Sequence, residues 1–357
     1  MNEFVINLDR LQTAVAASAF DAVLLTSEEN RFFVTGVHAE GIVIVSAEDA
    51  VFATDFRYAE AAARVLGDMK QEMTSAARPY AAIVNDFIAS HQVRTLAFEG
   101  SLPYEEYVSA RKDYHAELTE CGTLLHDLRR VKQPFEQKRL IATQEITDAV
   151  FTEMLGVIRA GVSEKELALE LYNRLLRHGA ERLSFPSIVV SGENGSLCHG
   201  VPGERIVGKG EFVTLDFGCV VGGYCSDMTR TVAVGTPSEP MREVYGIVLQ
   251  AQNAALAAAK PGVVGRDLDA VARKIITDAG YGPFFGHGLG HGLGILCHDT
   301  DGASPRNERV LPEGTVTTIE PGIYLPGRFG VRIEDVAILE GEGSIDITRS
   351  PKELIVL

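Results

Sequence analysis

Tryptophan is absent from this chain of 357 residues, aromatic side chains make up only 7% of it, and no basic excess offsets its acids. Lys and Arg number 33 against 49 Asp and Glu, a formal net charge of −16. Nucleic-acid binding rests on clustered Lys and Arg that neutralise phosphates, so this balance argues against it. No apolar run approaches the ~20 residues of a membrane span, and no membrane partner is expected. The opening residues lack the charged and apolar regions of a secretory signal. Cysteine is scarce and odd in number, five in all, which fits a reducing cytoplasm better than a disulfide framework. Hydrophobic residues at 46%, in mixed helical and strand-like runs, describe an ordinary α/β protein long enough for two domains.

A boundary falls at the charged stretch from His126 to Pro134, dividing the chain into residues 1–127 and 128–357. The first part reads as alternating strands (from Phe20, Gly41 and Asp49) and helices (Tyr58–Gly67, Tyr80–Ser90, Tyr104–His115), an α/β domain. The second opens with a long helix, Glu136 to about Arg159. A further helix follows Ser163, where Ser163 and Glu166 form a capping box, and others span about Met241–Ala259 and Asp267–Ala279. With its strand-like runs this part is an α+β unit, helices covering one face of a curved antiparallel sheet.

The chemistry concentrates in five residues: Asp216, Asp227, His291, Glu320 and Glu334. Four carboxylates and one imidazole suit a pair of hard divalent cations, with the nitrogen keeping Mn²⁺, Co²⁺ and Zn²⁺ in play. The run Glu211–Val234 looks like a hairpin. A turn centred between Val221 and Gly222 sets Asp216 opposite Asp227, with Cβ atoms about 4.5–5.5 Å apart. A second hairpin, turning at Gly327, sets Glu320 opposite Glu334. Paired carboxylates repel unless a cation lies between them. Two ions about 3.5–4 Å apart are a common device for activating water, so the residues describe a dinuclear metallohydrolase.

Three of nine histidines, His287, His291 and His298, share one glycine-rich segment, where glycines permit close backbone approach. The segment completes no G-x-G-x-x-G dinucleotide motif. His199 stands in a turn-rich loop. Cys198, Cys219, Cys225 and Cys297 lie near these residues in sequence, and core packing is expected for them, because strand neighbours point to opposite faces.

The order Asp, Asp, His, Glu, Glu resembles the pita-bread metallopeptidases, the group of methionine aminopeptidase, aminopeptidase P and prolidase. From about Leu128 onward, Ser184-Phe-Pro-Ser-Ile-Val-Val-Ser-Gly, His199-Gly-Val-Pro-Gly-Glu-Arg, Thr214-Leu-Asp-Phe-Gly, Cys225-Ser-Asp-Met-Thr-Arg-Thr, Glu320-Pro-Gly-Ile-Tyr and Gly330-Val-Arg-Ile-Glu-Asp are similar to its Xaa-Pro branch. The resemblance implies that Asp216 chelates one metal, that Asp227 and Glu334 bridge two, and that His291 and Glu320 complete the other. It makes Glu320 the proton shuttle and sets His199 and His298 beside the scissile carbonyl. His287 would be a substrate-contacting or supporting residue, and Arg332 would orient a carboxylate ligand with Tyr324 nearby. All five ligand positions are filled, unlike creatinase-type relatives and binding proteins that have lost their metals.

Methionine aminopeptidases resemble the second domain alone, so the extra domain points to the Xaa-Pro branch, with a homodimer as the implied assembly. Asp55-Phe-Arg57-Tyr58 is similar to a motif of small bacterial aminopeptidases P, which makes Arg57 and Tyr58 candidate substrate contacts. A strict dipeptidase needs a cation for the free proline carboxylate. Gly302 stands four residues after His298, where such an arginine would be plausible, and Arg306 is the nearest. The expected activity is therefore Xaa-Pro aminopeptidase with Mn²⁺, with prolidase as the alternative and a non-catalytic peptide binder as a remoter one.

Overall fold

The computed structural model describes residues 2–357. Packing divides the chain into one unit ending at Arg129 and a second from Arg130 to Leu357.

The first unit is built on a six-stranded mixed sheet. Its spatial order is Lys70–Met73, Ala50–Thr54, Ile42–Ser46, Ala22–Leu25, Thr95–Phe98, Glu117–Glu120. The first three strands of the chain pair antiparallel, as Val23↔Val45 and Val43↔Phe52 show; a short turn joins the second and third, whereas helix Glu28–Thr35 lies between the first and second. Parallel pairs such as Ala22↔Leu96 need crossovers, which the helices supply. The strands Ala22–Leu25, Ile42–Ser46 and Ala50–Thr54 are buried along their whole length and apolar apart from the terminal Ser46 and Thr54. Ala22, Leu24, Ile44, Val51 and Leu96 pack with Ile83, Val84 and Phe87 of the helix Tyr80–Ser90. Helices Val5–Ala16 and Glu28–Thr35 were not anticipated from the sequence. The second begins at an N-cap Ser27, and the buried Glu99 carboxylate accepts hydrogen bonds from the Ser27 amide (2.9 Å) and hydroxyl (2.7 Å). An anion there also favours the helix dipole.

The second unit alternates helical pairs with short antiparallel ladders. Helices Pro134–Met154 and Glu164–Arg177 precede the ladder of Ile188–Ser191, Glu211–Phe217 and Met228–Val234. Helices Glu239–Ala258 and Gly265–Asp278 precede a ladder of Val316–Ile319, Asp335–Glu340 and Gly343–Asp346, and a hairpin of Gly322–Leu325 with Phe329–Arg332. The capping box at Ser163 is present, its hydroxyl accepting from the Glu166 amide at 3.1 Å. Two cores result. Val213, Leu215, Phe217 and Val232 pack with Phe151, Leu171 and Leu175 of the first helical pair. Ile319, Ile323, Val331 and Ile333 pack with Val248, Leu268 and Ile276 of the second.

Strand periodicity then positions the polar residues. Because Val213, Leu215 and Phe217 face a helix-packed core, Thr214 and Asp216 face the other way. Because Ile319, Val331 and Ile333 are core residues, Glu320, Arg332 and Glu334 are presented on the opposite side.

Candidate metal centre

Asp227, Glu320 and Glu334 sit at breaks between strands, and Asp216 lies within its ladder, one residue before the end of strand Glu211–Phe217. Gly322 pairs with Arg332 and Ile319 with Asp335, so Glu320 and Glu334 stand opposite each other between two ladders. This is the register expected of a turn at Gly327, whose φ of +68° suits glycine.

The first hairpin departs from expectation by one residue. Asp216 pairs with Thr229, and Val221 pairs with Tyr224, so the turn is centred between Gly222 and Gly223. Both glycines have positive φ, +57° and +78°, as a type I′ turn requires. Asp227 is therefore not opposite Asp216 but two residues before its partner Thr229, on the same face. Gly218 marks the break: a Cβ there would lie 1.9 Å from the Ser226 carbonyl oxygen. Ser184 Oγ donates to the carbonyls of Cys219 (2.8 Å) and Ser226 (2.9 Å), which pins Asp227 in place.

His291 enters from the glycine-rich segment, clamped by backbone bonds from Thr318 N to the His291 carbonyl (2.9 Å) and from Glu320 N to the Leu289 carbonyl (2.7 Å). The clamp needs Gly290, where a Cβ would meet the Thr318 carbonyl at 1.9 Å. His291 Nε2 lies 3.5 Å from Asp227 Oδ2 and 3.6 Å from Glu320 Oε1. Ligand atoms of Asp227, His291 and Glu334 all fall within 4.8 Å of one another. Asp227 is 3% exposed and its Oδ1 has no hydrogen-bond partner. A buried carboxylate oxygen without a donor, set among three further carboxylates, is the situation a cation satisfies. The donor set fits hard divalent ions.

Hydroxyls and one guanidinium hold these groups. Thr229 Oγ1 donates to Glu334 Oε2 (2.7 Å) and Thr318 Oγ1 to Glu320 Oε1 (3.1 Å). Arg332 donates to Asp216, to Thr229 Oγ1 (3.0 Å) and to the Tyr324 hydroxyl (2.6 Å). The Tyr324 hydroxyl in turn meets His287 Nε2 at 3.0 Å, while His287 Nδ1 lies 2.8 Å from the Gly288 carbonyl. That pattern requires Nδ1–H to donate and neutral Nε2 to accept. Burial, reinforced by the Arg332 charge, holds His287 down to about 4. His287 belongs to a loop.

A cavity of about 760 Å³ opens over this centre, lined by His199, His287, His298, Phe185, Ile188 and Ser304 among others, all from the second unit. The His298 ring lies 4.1 Å from that of His291. Arg57 and Tyr58 stay in the first unit, where Arg57 pairs with Glu40 and Asp55 (2.7 Å each) and sits over the Tyr58 ring at 5.1 Å. Cysteine placement differs from expectation. Cys219 and Cys225 are buried, but Cys198 and Cys297 line the cavity, and Cys297 Sγ lies 3.2 Å from Asp227 Oδ2. Cys297 is in no strand, so strand parity did not apply to it. Thr229 and Thr318 were also missed, although each stands two residues from a carboxylate and so shares its face.

Crowding shifts the titrations. Burial pushes Asp216 up to about 6 despite Arg332, and Glu320 up to about 7. Glu334 is held well above the usual carboxylate range, by burial and then the charges of Asp227 and Glu320. Burial alone would lower His291, but its bond to Asp227 and the charge of Glu320 outweigh it and push it up to about 9. Without metal, the folded state thus holds more protons than the unfolded chain from pH ~4 to ~9, and stability falls as pH rises through that window. His287 acts oppositely but titrates lower. The melting temperature of chelated protein is expected to drop between pH ~6 and ~8.5, and Mn²⁺ to flatten the dependence. Equal pH profiles with and without chelator would remove the electrostatic basis of the site.

Residues 138–340 match the model of Metallopeptidase family M24, and residues 7–131 that of the Creatinase/Prolidase N-terminal domain. The chain belongs to metallopeptidase family M24, the pita-bread group, in its Xaa-Pro branch. A solved Xaa-Pro dipeptidase from Bacillus anthracis shares 40% identity at a TM-score of 0.95, covering 99% of this chain and 100% of that one. An X-Pro aminopeptidase from Thermotoga maritima shares 34% at a TM-score of 0.89, covering 98% and 99%. An Xaa-Pro dipeptidase of Pyrococcus horikoshii is 34% identical over 342 residues, 95% of each chain. The protein is thus a metal-dependent hydrolase.

Proposed function

We propose that this enzyme removes the first residue of peptides whose second residue is proline, using two divalent metals, Mn²⁺ foremost, with Co²⁺ or Zn²⁺ as substitutes. Asp216, Asp227, His291, Glu320 and Glu334 would hold them. When bound, such ions act as Lewis acids and lower the pKa of water. Glu320, half-buried and 3.6 Å from His291, takes the proton of the attacking water and returns it to the leaving proline nitrogen, which as a tertiary amide has no hydrogen of its own. His199 and His298, facing the cavity, donate to the carbonyl oxygen as negative charge develops. A cytoplasmic homodimer remains part of this reading.

The observation favouring an aminopeptidase over a dipeptidase is the cationic content of the cavity wall. Among the described residues, Arg332 is the one Lys or Arg lining it, and its guanidinium is already engaged by Asp216, Thr229 and Tyr324. Gly302 lines the wall but admits no side chain, since a Cβ would lie 2.4 Å from both the Gly290 carbonyl oxygen and His291 Cα. Arg306 is exposed and does not line the cavity. The dipeptidase reading is favoured instead by similarity to proteins named Xaa-Pro dipeptidase.

Ala-Pro and Ala-Pro-Ala, offered to Mn²⁺-loaded protein with a chelated control, separate the two. The tripeptide is expected to be cleaved with kcat/KM about tenfold higher or more, because no group repays desolvation of a free proline carboxylate. Preference for the dipeptide would replace this reading by prolidase; turnover of neither would end it.

A further inference from the structure

We infer that a second, softer metal site overlaps the carboxylate centre, formed by Cys297, His298 and His291. One ligand atom from each lies within 4.8 Å of the other two. A thiol and two imidazoles select thiophilic ions such as Zn²⁺ or Cd²⁺ rather than Mn²⁺ or Mg²⁺. Zn²⁺ binds sulfur and nitrogen at about 2.0–2.3 Å and accepts three protein ligands with an open fourth position. Both Cys297 and His298 line the cavity, so an ion can reach them. A fourth donor is at hand: Asp227 Oδ2 is 3.2 Å from Cys297 Sγ, and the buried Oδ1 of the same carboxylate is unpartnered.

The two sites share His291, so they compete. An ion captured here takes His291 from the carboxylate centre and His298 from the cavity, and it is an inhibitor by geometry. Binding forms an Sγ–metal bond and releases the Cys297 thiol proton to solvent. Raising Mn²⁺ lowers the apparent affinity for the soft ion.

The test is titration of Mn²⁺-loaded protein with Cd²⁺, read by the ultraviolet thiolate-to-cadmium charge-transfer absorption, which needs no turnover. Wild type is expected to develop the band, Cys297→Ser and Cys297→Ala to lose it, and Cys198→Ser, the other cavity thiol, to keep it. In His298→Gln the Cd²⁺ concentration at half-saturation should rise roughly tenfold or more. No band in wild type, a band that survives both Cys297 variants, or unchanged half-saturation in His298→Gln would overturn the site.

Discussion

Glu334→Gln should lower kcat/KM for an Xaa-Pro substrate by at least ~10³-fold while raising the melting temperature of the chelated protein. The two effects have opposite signs for one reason. Glu334 is 2% exposed and faces Glu320, with Asp216 and Asp227 close enough to push its carboxyl far above the usual range. Glutamine keeps the shape and can still accept from Thr229 Oγ1, but it removes a carboxyl that folding must either bury as an anion or protonate. Without metal the fold therefore gains. With metal it loses an anionic ligand, and the stabilisation that Mn²⁺ brings to wild type should shrink accordingly. Paired melts with and without chelator, beside the kinetics, separate ligand loss from misfolding. Residual activity above about one-tenth of wild type would contradict the ligand assignment.

Arg230→Gln should cost about 3–5 kcal/mol of unfolding free energy, the range for breaking a buried ion pair from one side. The Arg230 side chain is 1% exposed and pairs with Asp335 Oδ1 at 2.7 Å. It also donates to the carbonyls of Thr229 (3.0 Å), Ser350 (2.7 Å) and Pro351 (3.0 Å). Burial would raise Asp335, yet Arg230 and Lys352 hold it below the usual carboxylate range. After substitution Lys352 and Gln252 alone face that charge. Urea unfolding measures the loss, and the double variant Arg230→Met/Asp335→Leu should recover much of it, since apolar replacement removes both buried charges. A loss under about 1 kcal/mol would show the pair to be solvated rather than buried.

The features behind both effects are unequally visible in the sequence. The Glu320–Glu334 register was legible because one glycine turn, Pro326-Gly327-Arg328, leaves a single centre. The Asp216 register was misread by one residue because Gly222 and Gly223 offer two neighbouring centres. The demand of a type I′ turn for positive φ at both positions would have chosen correctly. Motif order marked the five candidate ligands and the histidines His199, His287 and His298 that line the cavity. It could not mark Thr229, Thr318 or Cys297, whose importance comes from segments that meet only in the folded unit. Helix Tyr80–Ser90 was read with its full length, whereas Val5–Ala16 and Glu28–Thr35 escaped notice. Tyr80–Ser90 is the most apolar of the three, whereas Glu28–Thr35 spans two turns, carries Glu28, Glu29 and Arg31, and is buried along most of its length by surrounding structure.

The contacts of Gly290, Gly292 and Gly302 bear on how this enzyme can evolve. A methyl group at any of them would come within 2.4 Å of a neighbouring oxygen: the Thr318 carbonyl, the Thr300 hydroxyl or the Gly290 carbonyl. Three spaced positions around His291 are therefore closed to drift, and no single substitution there is neutral. New metal or substrate preferences must be explored through side chains that border the cavity, such as Cys297, Ser304 and Ile188, while the floor beneath them is inherited unchanged.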